Sequence, residues 1–129
     1  MTRNLRRTEA TEGDTLRTIT DFLDLQMAQG KLVCIRHNPS TVISKVVRGK
    51  IKTAFKKVRQ NQLGVADLIV FRLVPSHVGD TQTDVLVIEV KSPTGKLSKV
   101  QERWAEKAVA QGCRYIAARS LEEVENALK

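Results

Sequence analysis

An α/β fold is predicted for this 129-residue chain by three observations. Stretches whose apolar residues recur at helical spacing alternate with short runs of period two. The two longest such runs, ADLIVFRLV and DVLVIEVK, are separated by turn-forming residues. The pieces follow one another in the order α-β-α-β-β-α-β-α, which interleaves helices with strands. The length suits one domain, 1–129, that builds its own core. At 41% hydrophobic and 28% charged residues the composition is globular, and no apolar run approaches a membrane span. The start, MTRNLRRTEATEGD, has no apolar core of a secretory signal, so a cytoplasmic protein is expected.

The first helix spans about Glu12 to Gln29, with Leu16, Ile19, Leu23 and Met27 as its buried stripe, Phe22 beside them, and Gly30 ending it. Glu12 lies four residues before Leu16, at the N-terminal end of that face, where it either complements the helix dipole or reaches a site. KLVCIRHN reads as a strand closed by Asn38-Pro39-Ser40. His37 is without a second histidine at ligand spacing and is expected at a strand end, not on a metal. TVISKVV suits either a further strand or an irregular lead-in. KIKTAFKKVRQ places Ile51, Ala54, Phe55 and Val58 at i, i+3, i+4 and i+7, predicting a basic amphipathic helix. Cys34 and Cys113 are expected as buried thiols.

In VLVIEVK, strand parity puts Val85, Val87, Glu89 and Lys91 on one face and Leu86, Ile88 and Val90 on the other. If the two long strands pair as an antiparallel hairpin centred near Val78, Asp67 falls opposite Glu89, and Asp67, Glu89 and Lys91 gather at one end of the sheet. SPTGK is a tight turn. KVQERWAEKAVAQ follows as a helix with Val100, Trp104, Ala108 and Val109 inward, and Ser98 with Gln101 fits a capping box. CRYIAA is a strand. Ser120 with Glu123 predicts a second capping box, on the last helix, LEEVENAL.

The net charge of +8 favours a polyanionic partner. Between residues 39 and 63 there are seven basic residues (Lys45, Arg48, Lys50, Lys52, Lys56, Lys57 and Arg59) and no acidic one. A solvated face would be served better by mixed signs, so contact with a phosphate backbone is expected of this segment. Two carboxylates and a lysine beside such a surface are what metal-assisted phosphodiester hydrolysis requires. Mg²⁺ takes one or two carboxylates, with water and substrate phosphate completing its shell, and an ammonium steadies developing negative charge. As spacing alone the trio is more often an ion-pair network than a nuclease site. No Gly-rich phosphate loop, HExxH or CxxC pattern competes.

Gly64-Val65-Ala66-Asp67, then Glu89-Val90-Lys91, then Gly95-Lys96-Leu97-Ser98-x-x-Gln101 with Trp104, then Gly112-x-x-Tyr115 and Ser120-Leu-Glu-Glu-Val resemble the VRR-NUC family of the PD-(D/E)xK nuclease superfamily. The ordered set covers nearly the whole second half. The first half resembles the family through a helix beginning near Glu12 and the Arg36-His37-Asn38 strand end. The resemblance implies a restriction-endonuclease-like core, a central mixed sheet flanked by helices, and Mg²⁺ at the active site with Mn²⁺ able to substitute. It implies Asp67 and Glu89 as metal ligands with the Val90 carbonyl, Lys91 as the catalytic lysine, and Gln101 as an active-site residue. Glu12 is the helical carboxylate by position, with Glu9 the fallback. Ala66 stands where the family usually has proline, whose loss removes stiffness and no chemistry. A glutamine side chain does not easily cap a helix and serve a site at once, and the site is favoured for Gln101. Small stand-alone members occur in phages and resemble structure-specific nucleases that cut branched DNA, four-way junctions included, as homodimers; host cytoplasm would be the location of a phage-encoded one. The expectation is therefore a divalent-metal-dependent DNA endonuclease. The alternative is a nuclease-fold module that binds DNA without cutting it, against which the intact Asp67, Glu89 and Lys91 speak.

Overall fold

Residues 10–37, 42–47, 50–55 and 63–129 are described by the computed structural model of the chain, the two short inner ranges by backbone only. Helix α1 (Glu12–Ala28) starts on a complete capping box: Thr11 Oγ1 accepts the Asp14 N–H, and the Asp14 carboxylate accepts the Thr11 N–H. Its buried face is Thr15, Ile19 and Leu23. Leu16 and Phe22 pack on the margin of the core, while Met27, expected inside, is exposed.

Strand β1 (Val33–Arg36) follows. The segment expected as a basic helix is instead strand over its described part, β3 (Lys50–Phe55), which pairs antiparallel with β2 (Val42–Val47), the strand that was one of two expectations for TVISKVV. The register sets Lys45 opposite Lys52 and Val47 opposite Lys50. β-Branched Val42, Ile43, Val46, Val47, Ile51 and Thr53 favour that state, a preference that the helical spacing of four apolar residues obscured. Lys45, Lys50 and Lys52 therefore lie on a β-hairpin. Arg48, Lys56, Lys57 and Arg59 lie outside the described residues.

Strands β4 (Leu68–Pro75) and β5 (Thr81–Val90) are the long hairpin, with Leu68 opposite Ile88 and Pro75 opposite Thr81. This is the register that centring on Val78 predicts, and Val78 stands exposed at the tip. Helix α2 (Lys99–Ala110) carries the chain to β6 (Arg114–Ala118), which pairs parallel to β5, and α3 (Leu121–Ala127) follows. The main sheet has the order β1-β4-β5-β6, a mixed α/β arrangement consistent with a restriction-endonuclease-like core.

Strand parity divides the sheet. Leu68, Val70, Leu86, Ile88, Val90 and Ala118 join Ile19, Leu23 and Val124 in a core under α1 and α3. Burying these aliphatic side chains supplies the main stabilisation, about 1.5–3 kcal/mol each. The opposite face carries Glu89 and is covered by α2, where Trp104 lies 6.4 Å from Tyr115 between ring centroids. The inward stripe expected for α2 is displaced: Val100 and Val109 are exposed, whereas Gln101, Trp104, Ala105 and Ala108 are half-buried. At α3 the expected box is half formed. Ser120 Oγ accepts the Glu123 N–H, but the Glu123 carboxylate takes the N–H of Arg119 instead of that of Ser120. Both cysteines are free thiols, and burial, with the charge of Asp24 second, pushes Cys34 up to about 11.

Candidate active site

The hairpin register and the N-terminus of α2 build one cluster at the open end of β4 and β5. Asp67 precedes the first residue of β4 and is held from two sides. Its carbonyl accepts the His37 N–H at 2.9 Å, and its Oδ2 accepts the Val90 N–H at 2.8 Å. The second bond fixes one carboxylate oxygen on β5 and leaves Oδ1 for other work. Lys91 closes the edge, its N–H donating to the Ala118 carbonyl at 2.9 Å.

Glu89 is the only buried charged side chain among the described residues, at 4% exposure. Its Oε1 accepts Gln101 Nε2 at 2.8 Å and lies 3.8 Å from Lys91 Nζ. Its Oε2 is buried without a hydrogen-bond partner. Burial first, and the neighbouring Asp67 charge second, push this carboxyl up to about 7; Lys91 pulls the other way, and Glu12 adds a small upward push.

The Gln101 side chain makes both contacts that the sequence sets against each other, the helix cap and a bond to Glu89. Its Oε1 accepts the Ser98 N–H at 2.9 Å, completing a capping box in which Ser98 Oγ accepts the Gln101 N–H at 3.2 Å. That geometry turns the amide Nε2 toward Glu89. The two ends of one amide thus tie the helix start to the site. Gly64 makes the approach possible. It sits at φ +78°, and a Cβ there would lie 2.5 Å from the Val100 carbonyl oxygen, so only glycine lets the entry to β4 touch the first turn of α2.

Asp67, Glu89, Lys91 and Gln101 are therefore brought together, with Val90 supplying the amide that holds Asp67. Glu12 is not part of that contact set: it is exposed in the first turn of α1 and acts on Glu89 through its charge alone. Glu9 lies outside the described residues. His37 directly follows the last residue of β1, at the strand end where it was expected, with its Nε2 buried and unpartnered. Among the described residues no three His, Cys, Asp or Glu side chains form a metal-holding group. Two carboxylates and open positions suit a hard cation that keeps water and phosphate in its shell, as Mg²⁺ does. The buried, unpartnered Glu89 oxygen beside Asp67 fits such an ion.

In the sequence Tyr115 stands out only as one residue of the Gly112-x-x-Tyr115 motif. Its hydroxyl is buried without a partner, and burial, then the charges of Glu89 and Asp67, push the phenol above its ordinary value. Its place by the carboxylates follows from the parallel pairing of β6 with β5, which spacing in the chain does not disclose.

The profile of one protein family, described as the VRR-NUC domain, matches residues 8–122, most of the chain. No curated protein and no solved structure matches. Among the described residues no helix is long and apolar enough to cross a membrane.

Proposed function

The chain belongs to the VRR-NUC family, a nuclease family, and from that premise we propose that it is a divalent-metal-dependent DNA endonuclease acting on branched DNA, four-way junctions in particular, as a homodimer. The observation that carries the reading is Glu89: a buried carboxylate with one oxygen tied to Gln101 and Lys91 and the other free beside Asp67. A core that merely needed packing would place an aliphatic residue there.

Asp67 and Glu89 would hold Mg²⁺, or Mn²⁺ in its place, with the Val90 carbonyl as a further oxygen and Glu12 as an outlying charge. When bound, such an ion polarises a phosphoryl oxygen and lowers the pKa of a water. The chain's own groups do the rest. Val90 N–H and Gln101 Nε2 hold one oxygen of each carboxylate, so the other oxygen of each would be available to the ion. The Lys91 ammonium orients the attacking water and steadies the charge that grows on the phosphate. The segment from Lys45 to Arg59, its described part a β-hairpin, follows the DNA backbone through Lys45, Arg48, Lys50, Lys52, Lys56, Lys57 and Arg59. Two symmetric cuts need two active sites and one domain supplies one, which is the mechanical ground for a homodimer.

The test is cleavage of labelled four-way junction, flap, single-stranded and linear duplex DNA in Mg²⁺, Mn²⁺ or EDTA. Junction cleavage that stops in EDTA and in Asp67→Ala is expected. Cleavage indifferent to that substitution rules out this active site, and salt-sensitive binding without cleavage in either metal favours the binding module.

A further inference from the structure

Two of the unpartnered buried atoms near the site are complementary: Glu89 Oε2 can only accept when ionised, and Tyr115 Oη can donate. Folded proteins rarely leave such groups alone. Tyr115 is the register partner of Val87 across the parallel β5–β6 pair, so it shares a sheet face with Glu89 two residues further along. The indole of Trp104, on α2, lies against the phenol ring at 6.4 Å and 55°, packing it between helix and sheet. The charges felt at the hydroxyl are those of Glu89 and Asp67, so it lies within the field of both site carboxylates. A phenol is protonated at neutral pH, so its O–H is a donor. On Glu89, Oε1 already serves Gln101 and Lys91.

We propose that Tyr115 is a positioning residue of this site, its hydroxyl donating to the free oxygen of Glu89 across one water, and so fixing the carboxylate for the metal ion. The proposal rests on the metal-nuclease reading and adds to it a residue from a different strand. Gln101, Lys91 and Tyr115 then hold the carboxylate from three elements: the helix above it, its own strand and the neighbouring strand. Partners that orient a ligating carboxylate are worth about 10–100-fold in metal affinity.

The experiment is a Mn²⁺ titration of the full chain, read by calorimetry or by the spin-resonance signal of the free ion, on the parent, Tyr115→Phe and Asp67→Ala. Tyr115→Phe is expected to weaken Mn²⁺ binding about tenfold while leaving KM for DNA unchanged. The ring stays and the lost hydroxyl has no partner within the protein, so the variant is expected to fold. A packing role alone makes the opposite forecast: Mn²⁺ affinity unchanged and, with a buried unpaired hydroxyl removed, a protein at least as stable. Binding lost in Asp67→Ala but untouched in Tyr115→Phe overturns the role of Tyr115 alone. No Mn²⁺ binding by the parent overturns the metal reading and this inference with it.

Discussion

The hairpin of β4 and β5 carries a charged cluster at each end, and the two are built in opposite ways. Toward the tip, Asp84 faces Arg72 across the register, bonds it at 2.9 Å, and also bonds Arg114 from β6 at 2.8 Å. The two guanidiniums reach on to the Leu128 and Ala127 carbonyls, clamping the end of α3 where the helix leaves acceptors unpaired. Arg114 and Arg72 hold Asp84 below the usual carboxylate range, and both of its oxygens are occupied. At the other end Glu89 is more deeply buried, has a lysine 3.8 Å away and keeps one oxygen without a partner. It is raised to about 7. One cluster has the marks of stabilisation and the other of a site kept at a cost, a contrast that separates an ion-pair network from chemistry.

The contrast breaks most sharply under substitution of its two sides. Lys91→Ala is expected to lower the single-turnover cleavage rate by about 100-fold or more, as loss of a group facing developing charge does, with a much smaller change in the unfolding midpoint. A rate within a few-fold of the parent would return Lys91 to a structural role. Asp84→Asn should behave in the reverse sense: a loss of about 1–2 kcal/mol in urea unfolding, discounted because Arg114 is partly solvated, and an unchanged cleavage rate. Between the two stands Gly64→Ala, which forces a Cβ into the Val100 carbonyl at a positive φ. It is expected to cost about 2 kcal/mol and also to lower the rate, because α2 and Gln101 must shift. The smallest effect belongs to Gln101→Glu, which keeps an oxygen for the Ser98 cap but removes the amide donor to Glu89. Helix content by circular dichroism should hold while cleavage falls about tenfold, the worth of one charge-assisted hydrogen bond.

Much of this site was legible before the structure because its parts are local to a hairpin. Period-two alternation fixes which side Glu89 and Lys91 take, and centring the turn near Val78 brings Asp67 across from Glu89. The cap at Ser98 was equally readable, as three residues of sequence specify it. What escaped were relations between distant pieces and competing periods. Ile51, Ala54, Phe55 and Val58 match a helix, yet the β-branched run beside them pairs Lys50–Phe55 with Val42–Val47 as strands. A pattern of four apolar positions cannot decide between them. Tyr115 acquires meaning only once β6 is known to lie parallel to β5. Gln101 looked overcommitted because a side chain was counted as one contact, when an amide has an acceptor at one end and a donor at the other.

The central claim is that Glu89 is held in a state that costs stability and serves chemistry. Folded, it retains its proton up to about 7, whereas its ordinary value is 4.5. Between those values the folded protein binds a proton that the unfolded chain has lost, so its contribution to stability falls as pH rises through that window. The most direct measurement is therefore the unfolding free energy of Glu89→Gln against the parent in EDTA, at pH 4 and at pH 8. The account predicts little difference at pH 4 and a variant more stable by about 1–3 kcal/mol at pH 8. A variant less stable than the parent at pH 8 would contradict it, and would place Glu89 with Asp84 among the residues that hold the fold together.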